Sequence, residues 1–405
     1  MKNFELLKEI MKEQGKEAWL MYSEEHSDSV FEKYICDTTI VPACAIVTPK
    51  EIHLIVNTLD SDNIEVSGCT LHTYGTNYRT IKEVICSVME ECGFPKKIAL
   101  SYTTHNDALT DKLGYGIYQY LIPDLEKFYS ENNRSFRIES AEEVIYALFD
   151  KKTDRTVQRM KIAADRAVDI LEEAFRRIRE HMSEKDIVEL VHLIFEEKTV
   201  NEKIEGVVAE DYSWAKELCP IVLVGPSLQK GGHAMASDQK LEQGHTIYFD
   251  FGVSLVFEDG EKVCSDLQRM GYLMKNGEST VPDPVEKVFR TLVRSIDIGI
   301  ESIRPDMKGY EVDEIVRRYI VENGYPDYNH STGHAIGEEA HSPGTLLGLK
   351  ENKLSNLIVQ ETGVYTIEPR IAIPNGGSIE EMVYVTEKGG IPISGRQKEL
   401  YILKA

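Results

Sequence analysis

Apolar residues in the first third of the chain alternate between two periods. Phe4, Leu7, Ile10 and Met11 recur at three- and four-residue intervals, which marks one face of a helix. Residues 18–22 then form a short continuous apolar run, and residues 44–48 and 52–56 flank Pro49-Lys50-Glu51, which predicts a hairpin. The segment reads as a mixed α/β region. His26, His53, His72 and His105 are scattered through it and read as ordinary surface or core histidines.

The pattern changes after a polar run at residues 150–156. Met160, Ala163, Ala167, Ile170, Leu171, Ala174, Phe175 and Ile178 form one stripe on a long helix. The predicted division is 1–152 and 153–405. Within the second part, a shift of 125 residues places Ile178, Arg179, Met182, Glu189, Val191 and Glu197 on Ile303, Arg304, Met307, Glu314, Val316 and Glu322. Each copy is followed by a glycine, an apolar strand and a carboxylate (Asp250 in one, Glu368 in the other), then a turn and a second carboxylate, Asp266 or Glu380. Two helix–helix–hairpin units predict one pseudo-symmetric domain.

Hairpin geometry says which side chains meet. A three-residue loop at Glu258-Asp259-Gly260, with Gly260 in the left-handed region, pairs Phe257 with Glu261. Gly252 then faces Asp266, and Asp250 shares a face with Asp266 one diagonal away. The same treatment of Pro374-Asn375-Gly376 sets Arg370 opposite Glu380 and Glu368 one diagonal from Glu380. Diagonal neighbours are about 7–8 Å apart, a spacing suited to side chains converging on a shared cation.

Composition narrows the partners. The 405 residues carry 46 Lys+Arg against 68 Asp+Glu, a formal net charge of −22, which repels phosphate backbones and anionic lipid. No nucleic acid and no membrane is therefore expected as a partner. The 7 cysteines form no CxxC pair, the first residues lack the apolar core of a signal peptide, and no stretch approaches a membrane span. A soluble cytoplasmic protein with reduced thiols is the expectation.

Four carboxylates on otherwise apolar strands need neutralising, because unpaired buried carboxylates are costly and repel one another. Salt bridges to Arg269 and Arg370 could serve two of them; two divalent cations would serve all four. The segment from His330 to His341 supplies three histidines, His330, His334 and His341, with glycines at 333 and 337 that permit close approach. Carboxylates with one imidazole suit Mn²⁺, Co²⁺, Fe²⁺ or Zn²⁺.

These stretches resemble the pita-bread metallopeptidase family that includes Xaa-Pro aminopeptidases, prolidases and methionine aminopeptidases. They are residues 232–238, 248–252, 264–269, 330–341, 366–369 and 378–381, in the family's order. The resemblance spans about 155–405, and the preceding segment is similar to a creatinase-type N-terminal domain. It implies an α+β chain, its C-terminal pita-bread fold carrying an internal pseudo-twofold repeat. It also implies two divalent ions per chain, with Mn²⁺ or Co²⁺ foremost and Zn²⁺ or Fe²⁺ possible. Asp250 would chelate one ion, His334 and Glu368 the other, and Asp266 and Glu380 both. The implied reaction is attack of a metal-bridging hydroxide on the bond between an N-terminal residue and a following proline, with Glu368 as proton acceptor. His233 and His341 match positions that bind substrate and stabilise the tetrahedral intermediate, and His330 matches a nearby histidine. The implied partners are a peptide or dipeptide with proline second and another copy in a homodimer.

Several positions depart from the family pattern: Arg370 stands where glycine is usual, Ser378 where proline-specific members carry arginine, and Gln268-Arg269-Met270 where Thr-Arg-Thr is usual, while a longer hairpin than usual separates Asp250 from Asp266. The hairpin register expected above would let Arg370 supply the missing guanidinium to Glu380. A strict prolidase, another hydrolase on this fold and a metal-free peptide-binding protein are the rival readings.

Overall fold

Asn3 opens the first helix, its side chain accepting the Leu6 backbone N–H, and α1 (Phe4–Glu13) buries Phe4, Leu7, Ile10 and Met11. The computed structural model describes residues 3–64, 67–77, 79–104, 108–230 and 234–404. The chain divides into two units, Met1–Leu148 and Phe149–Ala405.

In the first unit α1 is followed by β1 (Ala18–Ser23), α2 (Ser29–Tyr34), β2 (Ala43–Val47), β3 (Ile52–Asn57), β4 (Thr70–Tyr74), α3 (Ile81–Glu91), β5 (Lys97–Leu100), α4 (Tyr115–Glu131), β6 (Arg137–Ser140) and α5 (Glu142–Asp150). The expected hairpin is present, with Val47 opposite Ile52. The six strands form a mixed sheet in the order β4-β3-β2-β1-β5-β6. Helix α3 carries Ile81, Val84, Ile85, Val88 and Met89 into a core shared with Ile46, Ile55 and Ile98.

The second unit holds two similar halves. Thr153 caps α6 (Asp154–Arg177), whose stripe from Met160 to Phe175 is buried, and α7 (Glu184–Asn201) follows. Next come β7 (Val207–Tyr212), β8 (Ile221–Val224), β9 (Thr246–Phe251), β10 (Val253–Phe257), β11 (Lys262–Cys264) and β12 (Leu267–Leu273). The other half has α8 (Asp283–Ser302), α9 (Gly309–Glu322), β13 (Gly333–His334), β14 (Leu346–Leu347), β15 (Val364–Ile367), β16 (Arg370–Ile371), β17 (Gly377–Ser378), β18 (Glu381–Thr386), β19 (Gly389–Pro392) and β20 (Tyr401–Leu403). The 125-residue shift carries the end of α6 onto the end of α8 and the start of α7 onto the start of α9. Both second helices begin with a carboxylate reaching back to the capping N–H: Asp186 to Ser183 and Glu311 to Lys308, each at 2.8 Å. Helices α6 and α7 pack on β8–β12, and α8 and α9 on β15 and β18, which gives two cores of the same construction.

The first hairpin has the expected register. Phe257 N–H bonds Glu261 O at 2.9 Å, Gly260 has φ 83°, and Asp250 stands opposite Gln268 on β9 and β12. The second hairpin does not. Arg370 pairs with Ser378 and Ile371 with Gly377, so the loop spans five residues rather than three. The cause is the turn: Gly376 N–H bonds Ile373 O at 2.8 Å, with Pro374 and Asn375 at its centre and Asn375 at φ 56°. Proline at the first central position and a left-handed asparagine at the second are the demands of a type II turn. Glu380 therefore lies level with Glu368, not one diagonal away, and Arg370 is not opposite Glu380. Among the described residues, no helix is long and apolar enough to cross a membrane.

Candidate metal centre

The two hairpins are stitched together by a bridge between Gln268 and Glu380, whose N–H bonds Gln268 O at 3.2 Å. That bridge brings the carboxylates of both halves to one place. Period-2 alternation along β9 and β12 turns Asp250 and Asp266 to one side. A Cβ on Gly252 would meet Ser265 O at 2.1 Å, so only glycine lets the chain pass this close beside Asp266. Gly333 likewise lies against Thr366 O, at 1.9 Å from a Cβ position, which seats β13 on β15 and carries His334 to the same place.

His334 is presented in one tautomer. Its Nδ1 lies 3.1 Å from Ala335 O, and a carbonyl can only accept, so Nδ1 holds the proton and Nε2 is bare. Nε2 stands 3.7 Å from Asp266 Oδ2, 3.7 Å from Glu368 Oε1 and 4.0 Å from Glu380 Oε1. Burial pushes the imidazole pKa down to about 3, which keeps it neutral. His334, Glu368 and Glu380 each bring one ligand atom within 4.8 Å of the others, and so do Asp266, His334 and His341. His341 is exposed, its ring centroid 4.4 Å from that of His334. His330 donates from Nδ1 to Ser331 O at 2.7 Å, and burial pushes it down to about 4. His233 lies outside the described residues.

The carboxylates are short of partners. Asp266 Oδ1 and both carboxylate oxygens of Glu380 are buried and accept no hydrogen bond. Neither arginine fills the gap. Arg269, 1% exposed, pairs with Glu381 at 3.2 Å and donates to the carbonyls of Gln268, Glu380 and Gly395. Arg370 donates to the carbonyls of Leu228 and Lys230, at 3.2 and 2.9 Å, and its guanidinium lies 5.4 Å from the Tyr248 ring centroid. Burial first, and then mutual repulsion, hold Asp266, Glu368 and Glu380 above the usual carboxylate range.

Two residues at the site were given no role from the sequence. The Gln268 amide donates to Asp250 Oδ2 at 3.2 Å and to Glu368 Oε2 at 2.9 Å, and Tyr248 donates to Asp250 Oδ2 at 3.1 Å. Both were within reach of the register argument: Gln268 is the residue opposite Asp250, and Tyr248 is two positions before it on the same face.

Oxygens without donors, facing a bare imidazole nitrogen, fit divalent cations with hard-to-borderline preference. The centre lies in a cavity of about 1020 Å³, lined also by Trp214, Leu218, Pro220, Ile221, Met235 and His330.

Comparison with known proteins agrees with this chemistry. The family described as Metallopeptidase family M24 matches residues 158–387. The uncharacterized peptidase YqhT of Bacillus subtilis is 35% identical over 175 residues, covering 42% of this chain and 45% of that protein. The Xaa-Pro dipeptidase of Pyrococcus horikoshii is 26% identical over 260 residues, 62% of this chain and 67% of that one. The alignments thus span from under half to about two thirds of these curated relatives. Among solved structures, an Xaa-Pro dipeptidase from Bacillus anthracis superposes with a TM-score of 0.61 at 23% identity, covering 99% of both chains. The X-Pro aminopeptidase of Thermotoga maritima superposes with a TM-score of 0.58 at 21% identity, covering 100% of both. At that identity the likeness establishes the α+β pita-bread fold. With the matched stretch running from α6 into β18 and enclosing the whole carboxylate centre, the chain belongs to metallopeptidase family M24.

Proposed function

We propose that this peptidase is a dinuclear Xaa-Pro exopeptidase, cleaving the bond between an N-terminal residue and a following proline. The observation that carries the reading is the set of buried Asp266 and Glu380 oxygens that accept no hydrogen bond while facing the bare Nε2 of His334. Asp250, Asp266, His334, Glu368 and Glu380 would hold two divalent ions, Mn²⁺ or Co²⁺ by preference. When bound, such ions polarise a carbonyl oxygen and lower the proton affinity of water. Glu368, oriented by the Gln268 amide on its Oε2, takes the proton of the attacking water and returns it to the leaving nitrogen. That return lets the nitrogen leave as an amine, which for proline, with no amide hydrogen before cleavage, is the secondary amine of the ring. His330 and His341 offer imidazole edges to the substrate, and the same reading assigns substrate contact to His233. The apolar wall of Trp214, Pro220, Ile221 and Met235 suits the pyrrolidine ring. The relatives' names, Xaa-Pro dipeptidase in some and X-Pro aminopeptidase in another, support proline as the common feature.

A strict dipeptidase is the second reading, supported by the name of the Pyrococcus horikoshii relative. The test is metal content together with hydrolysis of Gly-Pro and Gly-Pro-Xaa after chelation and add-back of Mn²⁺ or Co²⁺. Chelator-sensitive cleavage before proline is expected. Cleavage of Gly-Pro alone selects the dipeptidase; bound metal without either cleavage overturns the substrate.

A further inference from the structure

Far along the sequence from the carboxylate centre, the amino-terminal unit gathers a second set of ligand-type side chains. Glu51 immediately precedes β3 and His53 is the second residue of that strand, with Glu51 Oε1 within 3.5 Å of His53 Nε2. His72 comes from β4, the parallel neighbour of β3. Glu91 is the last residue of α3 and Cys92 its C-cap, and α3 packs its apolar stripe on the sheet. These elements bring Glu51, His53 and Cys92 together with one ligand atom of each within 4.8 Å of the others; His53, His72 and Glu91 meet the same limit.

His53 is the informative member. It is 4% exposed, and its Nε2 has no hydrogen-bond partner although it is buried. The nearest carboxylate oxygen, Glu51 Oε1, stands 3.5 Å from that nitrogen. Donors around a tetrahedral zinc ion stand roughly 3.4 Å apart, given bonds near 2.1 Å. The other ring nitrogen, Nδ1, lies 3.0 Å from His72 Nε2, and Glu91 Oε2 is 3.9 Å from that same His72 atom. An imidazole that binds a metal through one nitrogen is commonly oriented by a hydrogen bond at the other. The carbonyl end of α3 adds a field that favours a cation.

We propose that Glu51, His53 and Cys92 form a second metal site, with His72 orienting His53. An imidazole, a thiolate and a carboxylate select a borderline ion such as zinc, unlike the oxygen-rich centre of the other unit. On binding, His53 keeps its proton on Nδ1 and donates it to His72 Nε2. Cys92 releases its proton to solvent as the sulfur–metal bond forms. Three protein ligands leave a fourth position open to water or a small donor. The site stands whether or not the carboxylate centre works as proposed.

The test is titration of the chelator-stripped 405-residue chain with Co²⁺, read as thiolate-to-cobalt charge-transfer absorption in the near ultraviolet. The carboxylate centre has no sulfur ligand and is silent in this band. The band is expected in the wild type, retained in an Asp266→Asn, Glu380→Gln variant, and lost in Cys92→Ser. Zinc content should fall by one ion per chain in Cys92→Ser, and zinc affinity at least tenfold in Glu51→Gln. These two positions are chosen because replacing buried His53 could unfold the unit. Absence of the band in wild type, its survival in Cys92→Ser, or an unchanged zinc count in a folded Cys92→Ser protein would overturn the proposal.

Discussion

Gln268 is a neutral residue doing what a cation would otherwise do. Its amide places one donor on Asp250 and one on Glu368, two carboxylates that repel each other across the centre. Gln268→Leu keeps the volume and removes both donors. Glu368 Oε2 loses the Gln268 donor while Asp250 keeps the Tyr248 hydroxyl; a polar group deprived of its donor costs about 1–3 kcal/mol, so the metal-free protein should lose stability of that order. Mn²⁺ would supply the missing positive charge, and the loss should shrink in its presence. Chemical denaturation of both proteins with and without Mn²⁺ checks this; an equal loss in the two conditions would mean that Gln268 is only packing. Arg370 shows the same economy at longer range. Its guanidinium holds the Leu228 and Lys230 carbonyls instead of Glu380, and its Nε is buried without a partner. The register expectation failed here through the backbone, not through the side chain's chemistry.

At the scale of elements, the two hairpins separate what was legible from what was not. Gly260 sits where a three-residue loop requires a left-handed residue, so the glycine in the sequence announced the turn and Asp250 fell on the expected face. In the second hairpin the left-handed residue is Asn375, one position before the glycine, and the ladder slips by two. Parity survived, which is why Glu368 and Glu380 still share a face, while their separation and the partner of Arg370 did not. Helices were legible because their stripes are long, whereas the meeting of His53 with His72 depends on parallel pairing of β3 with β4, which no local pattern encodes. Asn375 also does a second job: its Oδ1 accepts the Thr246 N–H at 3.2 Å, tying the turn to β9. Asn375→Gly should keep the turn and lose that bond, about 1 kcal/mol. Asn375→Ala should lose the bond and pay the left-handed penalty as well, about 2–3 kcal/mol in all. Urea denaturation midpoints in the order wild type, Gly, Ala are expected; Ala at or above Gly would contradict the turn assignment.

At the scale of the whole molecule, the pseudo-symmetric halves concentrate negative charge where they join, and this couples metal binding to stability. Burial and mutual repulsion raise the native proton affinity of Asp266, Glu368 and Glu380. In the unfolded chain the same groups release their protons near pH 4. Above that point the metal-free native state therefore holds more protons than the unfolded state. The stabilising contribution of these protons is complete below about pH 4 and is lost as pH rises through the raised native values. Divalent cations act in the opposite sense, since they need the carboxylates ionised and compete with protons for them. His334 does not limit binding in this range, because burial already keeps it neutral down to about pH 3. The difference in Tm between Mn²⁺-loaded and chelated protein should accordingly widen from about pH 5 to about pH 8. Asp266→Asn with Glu380→Gln removes the two most enclosed charges, so in that variant the chelated protein should gain stability at the upper end and the difference should collapse. Thermal denaturation across the pH series measures both quantities. A gap that stays constant with pH, or that persists in the double variant, would show that the cation stabilises the chain somewhere other than at the joined hairpins.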